Sequence, residues 1–374
     1  KAIPFHAQVY LVNECNLKCE HCYEDETTHP THVQMSLAEI EALFQELASM
    51  GCLQLTLTGG EIFLRRDIFE ILALAKQMRF HVTLFTSGTL LDKDKIARLK
   101  ELGVGQVDIS VYSDVAADHD KFTRIPGSWK RSTSSLRMLA EAGMKGALKC
   151  VLTTFNVDRI DNVIALAHEL GVAFQFDPNV RPRMSNDRST LKYALDKDTL
   201  ANKVFSRRDL YPGFREVQPD RVCHGQDFLH GDSAMCGAGS STLAVGANGD
   251  IYPCGFFPTP VGNLKHNGVR EIWERNSALQ EMRTMTYAKM TSCPSCDLRS
   301  ACHPCMAYAQ VEHGDYKQCN TASQTSAEAL LLVADGGARA NAKIERGGKP
   351  LVIVGNADLP KVDGTAKAVL AMFD

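Results

Sequence analysis

The stretch CNLKCEHCY, residues 15–23, places cysteines at 15, 19 and 22 directly after an apolar run, AQVYLV. Three thiols in Cys-x3-Cys-x2-Cys spacing are one short of what zinc or an ordinary iron–sulfur cluster takes. On one loop they can bind three irons of a [4Fe–4S] cluster and leave the fourth iron open to an exogenous ligand. Two plainer readings stand beside that one: three free cysteines, or a zinc site completed by His21 or a distant residue.

Beyond this loop, strand-like and helix-like runs alternate to about residue 180. Ser36 with Glu39 reads as a capping box, and Leu37, Ile40, Leu43, Phe44, Leu47 and Met50 keep helical spacing up to Gly51. LQLTLTGG then reads as a strand. The cycle repeats through DIFEILALAKQM, HVTLFTSG, KDKIARLKELG, QVDISVYS, a helix near 130–143, GALKCVLT, a helix near 159–170 and VAFQFDP. Helices stop at Gly51, Gly103, Gly143 and Gly171, each soon followed by a strand. About six strands separated by helices specify an α/β fold, a partial (β/α)6 TIM-type barrel followed by a small Cys-rich domain. Chemistry in such barrels gathers at the C-terminal strand ends, where CNLKCEHCY, TGGE, TSG and VYS all lie.

The expected domains are a barrel over 1–215, a cysteine-rich domain over 216–321 and a tail over 322–374. A helix near 196–206 closes the barrel. Residues 236–319 show little periodicity and are expected to need metal to hold their shape. In the tail, SAEALLLVA reads as a helix and PLVIVG as a strand. The formal net charge of −3 and the lack of a basic run argue against nucleic acid as the main partner. No apolar stretch is long enough to span a bilayer, and no signal-peptide pattern opens the chain. The chain has 13 cysteines, and their clustering reads as metal-binding or catalytic in a reducing, cytoplasmic setting. Cys52 and Cys150 read as core residues.

The Cys-x3-Cys-x2-Cys loop resembles the signature of the radical SAM superfamily. The resemblance implies that the open iron chelates S-adenosylmethionine (SAM) and that reductive cleavage gives a 5′-deoxyadenosyl radical. It makes Cys15, Cys19 and Cys22 both cluster ligands and catalytic residues. It also assigns SAM contacts. Gly59, Gly60 and Glu61 of TGGE would bind the methionine amino group, with His21 packing on adenine and Tyr23 lining the site. Ser87 and Ser110 would face the ribose or the carboxylate, Arg124 would pair with the carboxylate, and Leu152 would contact adenine. Plainer readings are a turn for Gly-Gly-Glu, a solvated charge for Arg124 and core for Leu152. One departure from the family is Thr-Ser-Gly after the third strand, where relatives often carry Thr-Asn-Gly.

The second cysteine set reads Cys236-x12-Gly-x4-Cys254, then Cys293-x2-Cys296-x5-Cys302-x2-Cys305, then Cys319. Its later pairs could make a zinc ribbon, but seven cysteines fit neither one tetrahedral site nor two. The arrangement resembles the SPASM extension of radical SAM peptide-modifying enzymes, with two residues rather than three before Cys305. That resemblance implies two auxiliary [4Fe–4S] clusters, three clusters in all. One would be held by Cys293, Cys296, Cys302 and Cys319. The other would be held by Cys236, Cys254 and Cys305, its fourth ligand unspecified. Cys223 is read as that ligand, as a catalytic hydrogen-atom donor, or as an ordinary loop cysteine.

The resemblance further implies a maturase of a ribosomally made precursor peptide, forming a cross-link, a ring or an epimerised residue. An electron donor such as flavodoxin or ferredoxin is expected. Only seven residues precede the first strand run, so a leader peptide is expected to be gripped by a separate protein, the barrel edge or the tail. Sulfatase maturases resemble the chain less well, since they usually carry a cysteine where Thr242 stands. The alternative reading is sulfatase-maturase-like oxidation, or a radical SAM enzyme acting on a small molecule or a tetrapyrrole side chain.

Overall fold

The structure is a computed structural model that describes residues 2–24, 33–207, 235–299 and 301–334. Cys223, the expected boundary at 215/216 and the tail strand PLVIVG lie outside the described residues.

Six parallel strands carry the fold: β1 (His6–Tyr10), β2 (Gln54–Thr58), β3 (His81–Thr86), β4 (Gln106–Ser110), β5 (Gly146–Val151) and β6 (Ala173–Asp177). Between them run α1 (Leu37–Ser49), α2 (Ile68–Gln77), α3 (Lys93–Glu101), α4 (Ala116–Thr123), α5 (Ser128–Glu141) and α6 (Ile160–Glu169). This is the expected partial barrel. The capping box is in place, with Glu39 N donating to Ser36 Oγ at 3.3 Å and Ser36 N to Glu39 Oε2 at 2.7 Å. Ile40, Leu43, Phe44 and Leu47 turn the apolar face of α1 into the core, each burial contributing ~1.5–3 kcal/mol. The four helix-ending glycines all have positive φ, between 68° and 91°, where a side chain would be strained.

Each strand has two faces. Ala7, Val9, Leu55, Leu57, Leu84, Val107, Ile109, Leu148 and Cys150 pack toward the helices. The alternate positions, among them Gln8, Tyr10, Thr56, Phe85, Asp108, Lys149 and Asp177, face the barrel interior. An interior with this many polar side chains is a lined site, not a filled core.

Two expectations change. The helix expected near 130–143 is preceded by a separate one, α4, in the loop after β4. The cysteine-rich segment is more regular than expected. β7 (Thr242–Val245) pairs in parallel with β1 and extends the barrel sheet, and β8 (Asp250–Tyr252) and β9 (Gly262–Asn263) follow antiparallel. The single sheet has the order β6-β5-β4-β3-β2-β1-β7-β8-β9. An Asn248-Gly249 turn, with Gly249 at φ 86°, joins β7 to β8. The region also has an apolar core, formed by Tyr10, Phe257, Met282, Met285, Tyr287, Met290 and Met306.

The closing helix near 196–206 is present as a short α-turn followed by a π-helical stretch, Leu200–Phe205. The expected tail helix spans Thr321–Ala334 and packs against it.

Candidate active site

The cysteine loop is seated by backbone. Gly60 N donates to Val12 O at 2.8 Å and Glu61 N to Glu14 O at 2.8 Å, tying the end of β2 to the entry of the loop. A Cβ on Gly59 would lie 2.2 Å from Val12 O, and one on Gly60 2.2 Å from Glu14 O. Only glycine permits that approach. On its other side the loop is bonded to the end of α4, with Lys18 N donating to Thr123 O and Glu20 N to Phe122 O, both at 3.0 Å. Asp120 in turn shapes the α4–α5 turn by accepting from Gly127 N, Ser128 Oγ and Trp129 N.

Glu61 is fully buried. Its carboxylate accepts from Phe63 N (3.1 Å), Thr86 Oγ1 (2.7 Å), Ser87 N (2.8 Å) and Ser87 Oγ. These four bonds occupy its acceptor positions. Glu61 therefore locks the ends of β2 and β3 together. Ser87 also shares a bond with Thr89, which accepts from Asn16 of the loop at 2.8 Å.

His21 is packed between Phe122 (centroids 4.9 Å apart, stacked) and Tyr112 (4.6 Å, edge-on). Burial holds its pKa down to about 4, so it is neutral, and its Nδ1 finds no hydrogen-bond partner among the described residues. Tyr112 reaches Cys19 and Ser110. Arg124 caps α4 in the left-handed region (φ 59°) and donates to Glu20 Oε1 at 2.8 Å. Leu152 is 1% exposed and lies in the core behind the sheet.

Tyr23 leads from the loop to the second cysteine set. Its hydroxyl lies 3.3 Å from that of Tyr10, and Tyr10 donates to Gly255 O, next to Cys254, at 2.9 Å. Arg181, just after β6, lies over the rings of Phe256 and Tyr23 at 3.1 and 5.3 Å and pairs with Asp177 at 3.3 Å. Sequence reasoning passed over Tyr10, Tyr112, Phe122, Lys149, Asp177 and Arg181. Tyr10, Tyr112, Lys149 and Asp177 were legible only as interior-facing strand or strand-end positions. Arg181 sits in a turn-rich run with no period.

The donor chemistry suits iron–sulfur clusters. All 12 cysteines in the described residues are free of disulfides. Cys19 feels both Cys15 and Cys22 electrostatically, so the three thiols share one locale. Burial pushes Cys22 up to about 12 and raises Cys19 well above the ordinary thiol value, so these sulfurs ionise readily when a metal supplies the compensating charge. In the second set, Cys302 feels Cys319, Cys293 and Cys296, while Cys254 feels Cys305 and Cys236. Among the described residues no three His, Cys, Asp or Glu side chains converge on a single ion. No helix among the described residues is long and apolar enough to cross a membrane.

Comparison with known proteins agrees with this chemistry. The radical SAM superfamily model matches residues 9–170, and the SPASM iron–sulfur cluster-binding domain model matches residues 236–297. The AdoMet-dependent heme synthase of Methanosarcina barkeri is 28% identical over 325 residues, covering 82% of this chain and 92% of that protein. The PqqA peptide cyclase of Methylocella silvestris is 25% identical over 313 residues, covering 80% and 82%. Streptococcus suis SuiB bound to S-adenosylmethionine shares the fold, with a TM-score of 0.64 at 17% identity, covering 86% of this chain and 77% of that one. The chain belongs to the radical SAM superfamily and carries a C-terminal SPASM domain, which makes it an iron–sulfur enzyme that acts on its substrate through S-adenosylmethionine radical chemistry.

Proposed function

We propose that the chain modifies a tetrapyrrole, abstracting hydrogen from one of its side chains. The observation that carries this reading is the match to the M. barkeri heme synthase, which runs through the barrel and the SPASM domain together and covers 92% of that protein. The charged barrel interior supports it, because Lys149 and Arg181 stand where an acidic substrate would enter. When bound, SAM on a cluster at Cys15, Cys19 and Cys22 supplies a 5′-deoxyadenosyl radical. The chain's own residues seat that chemistry. Gly59 and Gly60 bring backbone close to the cysteine loop, Glu61 fixes the strand ends, and His21, Tyr112 and Phe122 wall off water. Tyr23, Ser87, Ser110 and Arg124, in the loop or on the elements around it, are proposed SAM contacts.

The division of the second thiol set supports two auxiliary clusters, one at Cys293, Cys296, Cys302 and Cys319 and one at Cys236, Cys254 and Cys305. The proposed division keeps the barrel over 1–215, the cluster domain over 216–321 and the tail over 322–374. Peptide maturation is the second reading. The similarity to PqqA peptide cyclase favours it, and a precursor peptide would be the partner.

The test is anaerobic. Reconstituted protein is given dithionite, SAM and either carboxylated tetrapyrroles or a candidate precursor peptide. The expected result is substrate-dependent 5′-deoxyadenosine together with a mass change in the tetrapyrrole. A mass change in the peptide alone overturns this reading in favour of the second.

A further inference from the structure

Lys149 is an unusual residue to find inside the barrel. It lies on β5, in register with Ser110 of β4 and Gln175 of β6. Its ammonium sits 3.4 Å from the centroid of the Phe85 ring, also in the interior. That contact attracts a cation but satisfies none of its three N–H donors. Asp108 and Asp177 act on it electrostatically, yet among the described residues neither pairs with it or accepts a hydrogen bond from it. Desolvation inside the barrel lowers its pKa. The residue is half-buried, so its ammonium is open to an anionic group that enters the barrel.

Arg181 is the second cation of the same interior. It acts on Lys149 electrostatically, and both act on or are acted on by Asp177. Cation–π contact with Phe256 at 3.1 Å and Tyr23 at 5.3 Å holds it, together with its pairing to Asp177 and its contact with Tyr308. A guanidinium keeps further N–H donors in a fork that matches a carboxylate. Arg181 therefore stands beside Tyr23, which follows Cys22, and Phe256, two residues after Cys254.

We propose that Lys149 and Arg181 form a carboxylate-binding subsite in the barrel mouth that seats an acidic side chain of the substrate. The identity of that side chain, a propionate, rests on the tetrapyrrole reading; the subsite itself rests on the two cations. The other carboxylate source in this enzyme is the methionine end of SAM, and the test separates the two.

Anaerobic, cluster-loaded protein is titrated with coproporphyrin III and with its tetramethyl ester, followed by porphyrin fluorescence quenching. Lys149→Met is expected to weaken binding of the acid about tenfold, the loss of one charge-assisted contact, and Lys149→Arg to restore most of it. Binding of the ester and of SAM is expected to stay unchanged in Lys149→Met. Unchanged acid binding in Lys149→Met overturns the proposal. So does a loss of SAM affinity, since the seated carboxylate would then be that of methionine.

A second measurement does not depend on the tetrapyrrole. Acylation of Lys149 by an amine-reactive reagent is read by peptide mass spectrometry with and without glutarate. Glutarate is expected to slow acylation severalfold in the wild type and not in Arg181→Gln. If the wild type ignores the porphyrin while glutarate still protects Lys149, the tetrapyrrole reading falls and the subsite stands. If glutarate gives no protection, the subsite falls.

Discussion

The loop of Cys15, Cys19 and Cys22 is held by its neighbours' backbone, whereas the region of Cys293, Cys296, Cys302 and Cys319 is held partly by its own thiols. In the first, bonds to Val12, Glu14, Phe122 and Thr123 fix the chain, and Cys15 is exposed. In the second, Cys293 and Cys302 are 7% and 8% exposed and are themselves core residues amid 3-10 turns. A metal added to the first loop finds a site already shaped. In the second region metal and fold depend on one another.

Cysteine replacement tests that contrast most strongly. Cys15, Cys19 and Cys22 changed together to Ala are expected to reduce 5′-deoxyadenosine formation to background, with the far-ultraviolet circular dichroism and urea midpoint close to wild type. Cys293 and Cys302 changed together to Ser are expected to expose residues 287–320 to hydrogen exchange, because two polar hydroxyls replace buried sulfur and metal. Equal loss of structure in both variants would erase the difference between the regions.

The backbone seat of the first loop can be broken directly. Gly60→Ala would place a methyl group 2.2 Å from Glu14 O, where neither partner is a flexible side chain. Destabilisation of roughly 3 kcal/mol or more is expected, with loss of iron binding at the loop. Urea denaturation and iron analysis read both. A variant of wild-type stability would mean that the loop moves freely against β2.

Much of this was legible beforehand, for local reasons. The β/α alternation, the Ser36–Glu39 box and the glycine stops are written in neighbouring residues, and the cysteine spacing names its own chemistry. What escaped was long-range. The bond from Tyr10 to Gly255 spans 245 residues, and nothing near either end signals it. β7 joins the barrel sheet through β1, although its Asn248-Gly249 turn marked a hairpin. Glu61 shows a subtler limit: the motif singles it out, and only the structure reveals that its carboxylate accepts from Ser87, Thr86 and Phe63. For Lys149, the neighbouring residues mark the strand, and only the structure shows its ammonium over the Phe85 ring.

The floor under the first loop predicts an acid response. His119 is fully buried beside Tyr112, accepts from Tyr112 N at 3.1 Å, and is held by burial at a pKa of about 4. The unfolded chain takes up a proton near the ordinary value of 6.5. The neutral folded form therefore contributes its full stability above about pH 6.5, and loses it progressively as pH falls toward 4. Between pH 7.5 and 5 the loss is about 2 kcal/mol. His119→Asn keeps an acceptor for Tyr112 N and should show a pH dependence flatter by that amount in urea titrations. An unchanged slope would place the acid sensitivity elsewhere.

Arg124 should give the smallest stability effect and a modest functional one. Its side chain is 57% exposed, and its pairing with Glu20 is screened by water, so Arg124→Gln should leave the urea midpoint in place. Arg124→Gly should also hold or raise the midpoint, because glycine accepts the left-handed backbone at this position more readily. Neither variant offers a charge to a carboxylate above the cysteine loop. If Arg124 serves SAM, both should bind SAM severalfold more weakly in equilibrium titrations at unchanged stability, and Arg124→Lys should recover part of the loss. If SAM affinity is the same in all three, the guanidinium serves only to hold Glu20, and the loop's seat is then purely backbone, a stronger form of the contrast with the second cysteine region.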